Sequence, residues 1–327
     1  MKHLATLLKI AATVALFWFV LSRVDLAELV SRLNAVDMAL ALLAGAAALS
    51  LQAALLALRL RICARAVGHD VARRTAWVAC QYGGLFSHTP ISFVGGDAMR
   101  VWHLVKNGLP VQDAAKAVVV DRALGFMGIM FLVIATAPAL RAAVKDPVMW
   151  NGHLLLIGVG VGAILTFLAL GRIRPTRRLG GVLGWIAELA TASHHLSARP
   201  VEALTAFALA IFANALSAFA IWAISTAYGG GISFLTALVA SPAVFLVAMI
   251  PISAAGWGLR EGAFVVAFGL FGISAAVSLT VSITFGIALL LAYSPAAVLV
   301  FLARHQGASA AKGEGYAPAS SQPQRRS

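Results

Sequence analysis

Two stretches of this chain repeat one another's pattern, and each is an apolar segment broken by glycine and proline. Residues 90–125 read PISFVGGDAMRVWHLVKNGLPVQDAAKAVVVDRALG, and residues 251–286 read PISAAGWGLREGAFVVAFGLFGISAAVSLTVSITFG. At a constant offset of 161, without a gap, eleven of the 36 positions are identical. Ala and Val matches arise readily in such a composition. Pro90 with Pro251, Ser92 with Ser253, and Gly95, Gly108 and Gly125 with Gly256, Gly269 and Gly286 do not, because these residue types set backbone shape. A duplicated, interrupted apolar segment points to the central site of a membrane transporter built from two related halves.

Composition supports a bilayer setting. The chain is 61% hydrophobic and only 11% charged, against about 45–50% and about 25% for soluble domains. Its net charge of +13 sits in clusters between apolar segments, as in cytoplasmic loops, so no nucleic-acid partner is expected. Cys63 and Cys80 lack metal spacing and lie on or near the side assigned to the cytoplasm, where a disulfide is not expected. Met1-Lys2-His3 and the apolar run behind it resemble a signal peptide. The run ends Val20-Leu21-Ser22-Arg23 without a small-residue cleavage site, so it reads as an uncleaved first span.

A bilayer core of ~30 Å needs ~20 apolar residues in a helix. Six segments qualify, at about 4–21, 38–58, 113–139, 151–171, 200–228 and 276–302. Arg59, Arg61, Arg65, Arg73 and Arg74 follow the second, and Arg172, Arg174, Arg177 and Arg178 follow the fourth, which places both loops in the cytoplasm. The sparse loop at 141–150 and the uncharged Gly229-Gly230-Gly231 fit the outer side. Counting crossings then makes 75–107 start and end inside, and 232–272 start and end outside. Both read as re-entrant hairpins, entering from opposite faces. Irregular backbone at that depth must be buried in protein or line a wet cavity.

The expected fold is therefore an all-α polytopic membrane protein of about six full spans plus two re-entrant helical hairpins in an inverted repeat. The alternative is eight full spans. The first half covers 1–139 and the second 140–303, the latter with a basic cytoplasmic linker at 172–199. Residues 304–327 read as a disordered cytoplasmic tail. Both termini are expected in the cytoplasm, in a bacterial inner membrane.

Charges inside such segments are functional hypotheses by default. Gly95-Gly96-Asp97 reads as a turn with Asp97 capping a helix from Ala98 to about Lys106. The start of that helix suits an anionic headgroup, and Arg100 one turn on suits phosphate. Asp121 and Arg122 lie within a span, and Arg122 is placed to pair with Asp97 across the hairpin. Arg260 and Glu261, beside Gly256 and Gly258, are the sole charges between Glu202 and Arg304. A structural ion pair and a substrate or proton-coupling role both fit them. His88, just before Thr89-Pro90, reads as a hydrogen-bonded loop residue or a proton relay. Nucleophile elbow, P-loop and paired catalytic carboxylates are not found, so no catalytic residue, metal or cofactor is assigned.

Pro90 through Arg100 with Asp121-Arg122, and Ile250-Pro251-Ile252-Ser253 through Gly258-Leu259-Arg260-Glu261-Gly262, resemble the signature regions of the lysylphosphatidylglycerol synthase transmembrane-domain family, often called flippase-like. The family usually shows Glu-Arg where this chain has Asp121-Arg122, and Ile283 stands at the repeat position of Arg122. The resemblance implies a stand-alone member, without the aminoacyltransferase domain of the name-giving proteins. It implies a protein that moves a polar or phosphate-bearing lipid, phospholipid or polyprenyl-linked, between leaflets. A lipid-synthesising enzyme is a candidate partner. An integral membrane transferase acting on a lipid carrier, and a non-transporting scaffold subunit of a lipid or glycan pathway, are the rival expectations.

Overall fold

The computed structural model describes residues 18, 22, 35–89, 95–170, 199–249, 257–295 and 298. The expected span at 4–21 (Trp18 apart), the linker short of Arg199, the tail, and Pro90, Pro251 and Gly256 lie outside the described residues. Ten helices are formed within them: α1 (Ala35–Ala66), α2 (Arg73–His88), α3 (Gly96–Lys106), α4 (Val111–Ala135), α5 (Ala137–Ala143), α6 (Pro147–Leu170), α7 (Pro200–Ala227), α8 (Phe234–Ala248), α9 (Leu259–Gly269) and α10 (Ala275–Tyr293). Five of them, α1, α4, α6, α7 and α10, are long and apolar enough to cross a membrane. The protein is an all-α, multi-pass membrane protein.

Local chemistry sets the helix ends. α4 stops at Ala135, earlier than the expected 139, because Thr136 and Pro138 start a new short helix. The Thr136 hydroxyl donates to the Leu132 carbonyl at 2.7 Å, and a proline cannot donate to the preceding turn. α10 closes at Tyr293, where Ser294-Pro295 follows, short of the expected 302. Conversely, α1 runs eight residues past its expected end at 58, through Arg59, Arg61 and Arg65.

The repeat is structural. Moving α2 by 161 positions gives 234–249, and α8 is Phe234–Ala248. By the same shift α1 answers to α7, α3 to α9 and α4 to α10. Packing obeys the equivalence: α1·α2 matches α7·α8, α2·α3 matches α8·α9, α3·α4 matches α9·α10, and α1·α4 matches α7·α10. Between halves, α1·α10 matches α7·α4 and α2·α10 matches α8·α4.

The hand of the repeat follows from α1 against α7, the most extensive helix contact. Gln52 Nε2 donates to Ser217 Oγ at 2.7 Å. Seven residues earlier on α1, a Cβ at Gly45 would lie 2.8 Å from Ile224 Cδ1, seven residues later on α7. The two helices are antiparallel, yet they are each other's repeat equivalents. The two-fold axis is therefore perpendicular to them, and the halves are inverted.

The short pairs α2–α3 and α8–α9 occupy equivalent places. At ~1.5 Å per residue, α2 and α8 extend about 24 and 22 Å, and their partners about 16 Å, short of a ~30 Å bilayer core. Leu49, Ile221, Ile224, Phe264, Phe268 and Phe285 form the largest buried cluster, which joins the second hairpin to α1, α7 and α10.

Candidate functional site

Five charged side chains of the first half form one connected array. Arg59 on α1 donates to both oxygens of Asp121 on α4, Nε to Oδ1 at 2.7 Å and Nη2 to Oδ2 at 3.1 Å. Arg100 on α3 donates from Nη1 to Asp121 Oδ2 at 3.2 Å and lies 3.8 Å from Asp97 Oδ1. Arg122 on α4 closes the array on Asp97, with Nε and Nη2 at 2.7–2.9 Å from its carboxylate. The expected Asp97–Arg122 pair across the hairpin is thus present.

Depth and burial differ along the array. Asp121 is fully buried, and Arg59 and Arg100 are 4% exposed. Arg122 and Asp97 are half-exposed, at 43% and 45% of their side chains. Eleven residues separate Val111 from Arg122, which sets the open end of the array roughly 16 Å along the span. Charge within a span pairs with another charge, lines a wet cavity or snorkels to the headgroups.

Two readings from sequence need correction here. Arg59, which the run of arginines places in the cytoplasmic loop, is buried in α1 and is the main partner of Asp121. Asp97 is not a cap. Gly95 is the N-cap residue, α3 begins at Gly96, and no side chain caps it. The Asp97 carboxylate is thereby left to Arg122.

The second half holds a self-contained pair. Arg260 donates to Glu261 Oε1 from Nε at 3.0 Å and from Nη2 at 2.5 Å. Glu261 Oε2 accepts the Gly258 N–H at 2.5 Å, so the same carboxylate caps α9. Gly258 has φ +84°, in the left-handed region that favours glycine. Ser282 Oγ donates to Glu261 Oε1 at 3.3 Å.

This pair is the repeat image of the first-half array with altered chemistry. Glu261 stands where Arg100 stands in the first half, and Ser282 where Asp121 stands. Each contact joins the second arm of a hairpin to the following long helix. The matched glycines Gly125 and Gly286 do the same work in both halves. A Cβ at Gly125 would lie 3.3 Å from Arg59 Nη2, and a Cβ at Gly286 would collide with Arg260 Nη2. Each glycine leaves room for a guanidinium.

The two halves meet at His88. Trp257 Nε1, at the start of the second hairpin's second arm, donates to the His88 carbonyl at the end of α2 at 3.0 Å. Arg260 lies over the Trp257 ring, 4.7 Å from its centroid. The His88 ring stacks on Tyr293 of α10 at 6.0 Å and 25°. A Cβ at Gly96 would collide with Ser87 Oγ, next to His88, so the start of α3 packs against the end of α2. With its amide nitrogen turned toward α10, Gln81 donates to the carbonyls of Ala292 and Tyr293 at 3.1 and 3.0 Å.

His88, Asp97, Arg100, Asp121, Arg122, Arg260 and Glu261 therefore gather around the two hairpin ends. Gly95, Gly96 and Gly258 lie at the starts of α3 and α9. Sequence reasoning missed Arg59, Gln81, Ser282 and Tyr293. Ser282 carried a signal, since it occupies the repeat position of Asp121. Tyr293 carried none. Among these described residues four guanidiniums face three carboxylates. The array suits a ligand bearing negative charge. No three His, Cys, Asp or Glu residues among the described ones are grouped to hold a metal ion.

The sequence is 26% identical to a UPF0104 membrane protein of Methanothermobacter thermautotrophicus over 304 residues, covering 85% of this chain and 89% of that protein. The pattern of the lysylphosphatidylglycerol synthase TM region matches residues 6–297. With nine-tenths of its length matched, the chain belongs to the lysylphosphatidylglycerol synthase TM region family.

Proposed function

We propose that this protein moves a phosphate-bearing lipid between the leaflets of a bacterial inner membrane, with both termini in the cytoplasm. The two helix pairs act as re-entrant hairpins whose inner ends form the polar step for the headgroup, while acyl chains stay in lipid. The observation that carries this reading is the buried array Arg59–Asp121–Arg100–Asp97–Arg122. It ends on a half-exposed guanidinium within a span, and Trp257, which lies under Arg260, is tied to the His88 carbonyl of the first hairpin. Arg122 receives the phosphate, with Asp97 as the carboxylate that the phosphate displaces. Arg59 and Arg100 hold Asp121 and the hairpin in place. Arg260 and Glu261 tie the second hairpin to its own helix α10 and, through Trp257, to the first.

On this reading the chain transports and does no bond-making chemistry. The test is full-length protein in liposomes with an acyl-labelled fluorescent phosphatidylglycerol, the outer leaflet being bleached by dithionite. Wild type should make inner-leaflet label available. Arg122→Ala and Arg260→Ala should slow this at least ten-fold, with the protein still inserted. A phosphatidylcholine probe should move more slowly, because the array carries excess positive charge. Unchanged rates in both variants would remove the site. Formation of a modified lipid by the purified chain would favour the transferase reading instead.

A further inference from the structure

A second feature lies near the far end of α4 from the charged array, about 18 Å along the helix from Asp121. There α4, α5, the first turns of α6 and both arms of the second hairpin enclose a crevice of about 190 Å³. Its walls are apolar, with Val133, Leu156, Val239, Ala243, Ala267 and Phe271 among them. One flank is α6, whose Leu155, Val159 and Leu165 are exposed side chains on a membrane-crossing helix. Acyl chains of the bilayer therefore lie alongside.

The rim is polar and ordered. Arg141, exposed on α5, donates from Nη1 to the Val144 carbonyl at 3.1 Å and lies over the Trp150 ring at 5.4 Å. Trp150 stacks on His153 at 5.7 Å and 26°. His153 and Val133 both line the crevice. The His153 Nε2 is buried without a hydrogen-bond partner. A neutral imidazole nitrogen donates or accepts according to its tautomer.

An apolar slot flanked by lipid, an exposed guanidinium at its mouth and a buried imidazole nitrogen without a partner together fit an amphiphile. We infer that the crevice seats a segment of one acyl chain of a phospholipid, with the phosphate on Arg141 and a polar headgroup atom reaching His153 Nε2. It is a holding place in the leaflet that borders α5. It stands whether or not the central array moves lipid, and binding is read without translocation.

The experiment uses full-length protein in liposomes containing phosphatidylglycerol with a diazirine in one acyl chain, photolysed and mapped by peptide mass spectrometry. Wild type should concentrate label on 133–156 and 239–271. Ala243→Phe, which fills the slot, should lower that label at least three-fold, while label on the outer face of α6 is unchanged. Arg141→Gln, at an exposed position, keeps the test valid if the filled variant fails to fold. It should lower crevice label about three-fold, and Arg141→Lys should restore most of it. Label spread evenly over α6, or equal crevice label in Arg141→Gln and wild type, overturns the inference. Arg122→Ala should keep the crevice label while losing translocation. Crevice label in a chain that never translocates leaves this site standing and removes the central one, and the converse result does the reverse.

Discussion

Replacing Asp121 by alanine tests whether the central array is an internal ionic framework. Asp121 is fully buried and accepts three hydrogen bonds, two from Arg59 and one from Arg100, at 2.7–3.2 Å. At a solvent-exposed site such pairs contribute about 0–1 kcal/mol. In an interior, removing one partner costs about 3–5 kcal/mol, because the charge left behind is neither solvated nor paired. Complete burial selects the second figure. Two guanidiniums, each 4% exposed, lose their shared partner at once, so the loss should fall near the top of that range, about 5 kcal/mol. Unfolding in mixed micelles by titration with dodecyl sulfate, followed by tryptophan fluorescence, measures it. The double change Arg59→Met with Asp121→Leu removes both charges together and should recover at least half of the loss. A deficit under about 1 kcal/mol for Asp121→Ala, or a double variant equal to the sum of its singles, refutes the reasoning.

Three further outcomes follow from the same geometry. Asp97→Asn acts on a half-exposed pair, so stability should change by no more than about 1 kcal/mol. Lipid retained through purification, weighed by mass spectrometry, should rise in that variant because Arg122 loses its competitor, and an equal or lower amount counts against phosphate binding there. Gly286→Ala places a methyl group on the Arg260 guanidinium and should cut lipid movement about ten-fold by the arithmetic of a displaced charged contact. Gly269→Ala meets nothing within 4 Å and should be silent, so equal effects at both positions would contradict the close-approach argument. Trp257→Phe keeps a ring beneath Arg260 and deletes the bond to the His88 carbonyl. It should cost about 0.5–1.5 kcal/mol in the same unfolding assay, and no loss would mean that the hairpin ends are joined by other contacts.

Much of the architecture is written in one dimension. Apolar runs of span length, and the fixed spacing of Pro90 and Gly125 from Pro251 and Gly286, are local facts that survive folding. The antiparallel packing of α1 on α7 extends that repeat into space. The misreadings have local causes too. Arg59 precedes a run of arginines that resembles a loop, and its partner is 62 positions away, so nothing nearby marks it as buried. Asp97 has the residue type of a helix cap. Gly95 and Gly96 let α3 start two residues earlier, which turns the carboxylate toward Arg122. The stop at Ala135 was legible in Thr136 and Pro138, and average hydropathy hid it. Tyr293 and Gln81 matter through packing between halves, which no single segment encodes.

The central claim is that the two hairpins enter from opposite leaflets and meet in the middle. Cys63 and Cys80 are fully buried, so a thiol introduced at an exposed position reports its own side of the membrane. Asn107→Cys lies just beyond the end of α3, and Gly269→Cys at the end of α9. In sealed right-side-out vesicles, an impermeant maleimide should label Gly269→Cys and spare Asn107→Cys, and inverted vesicles should reverse the result. Labelling of both positions from one side would contradict the account.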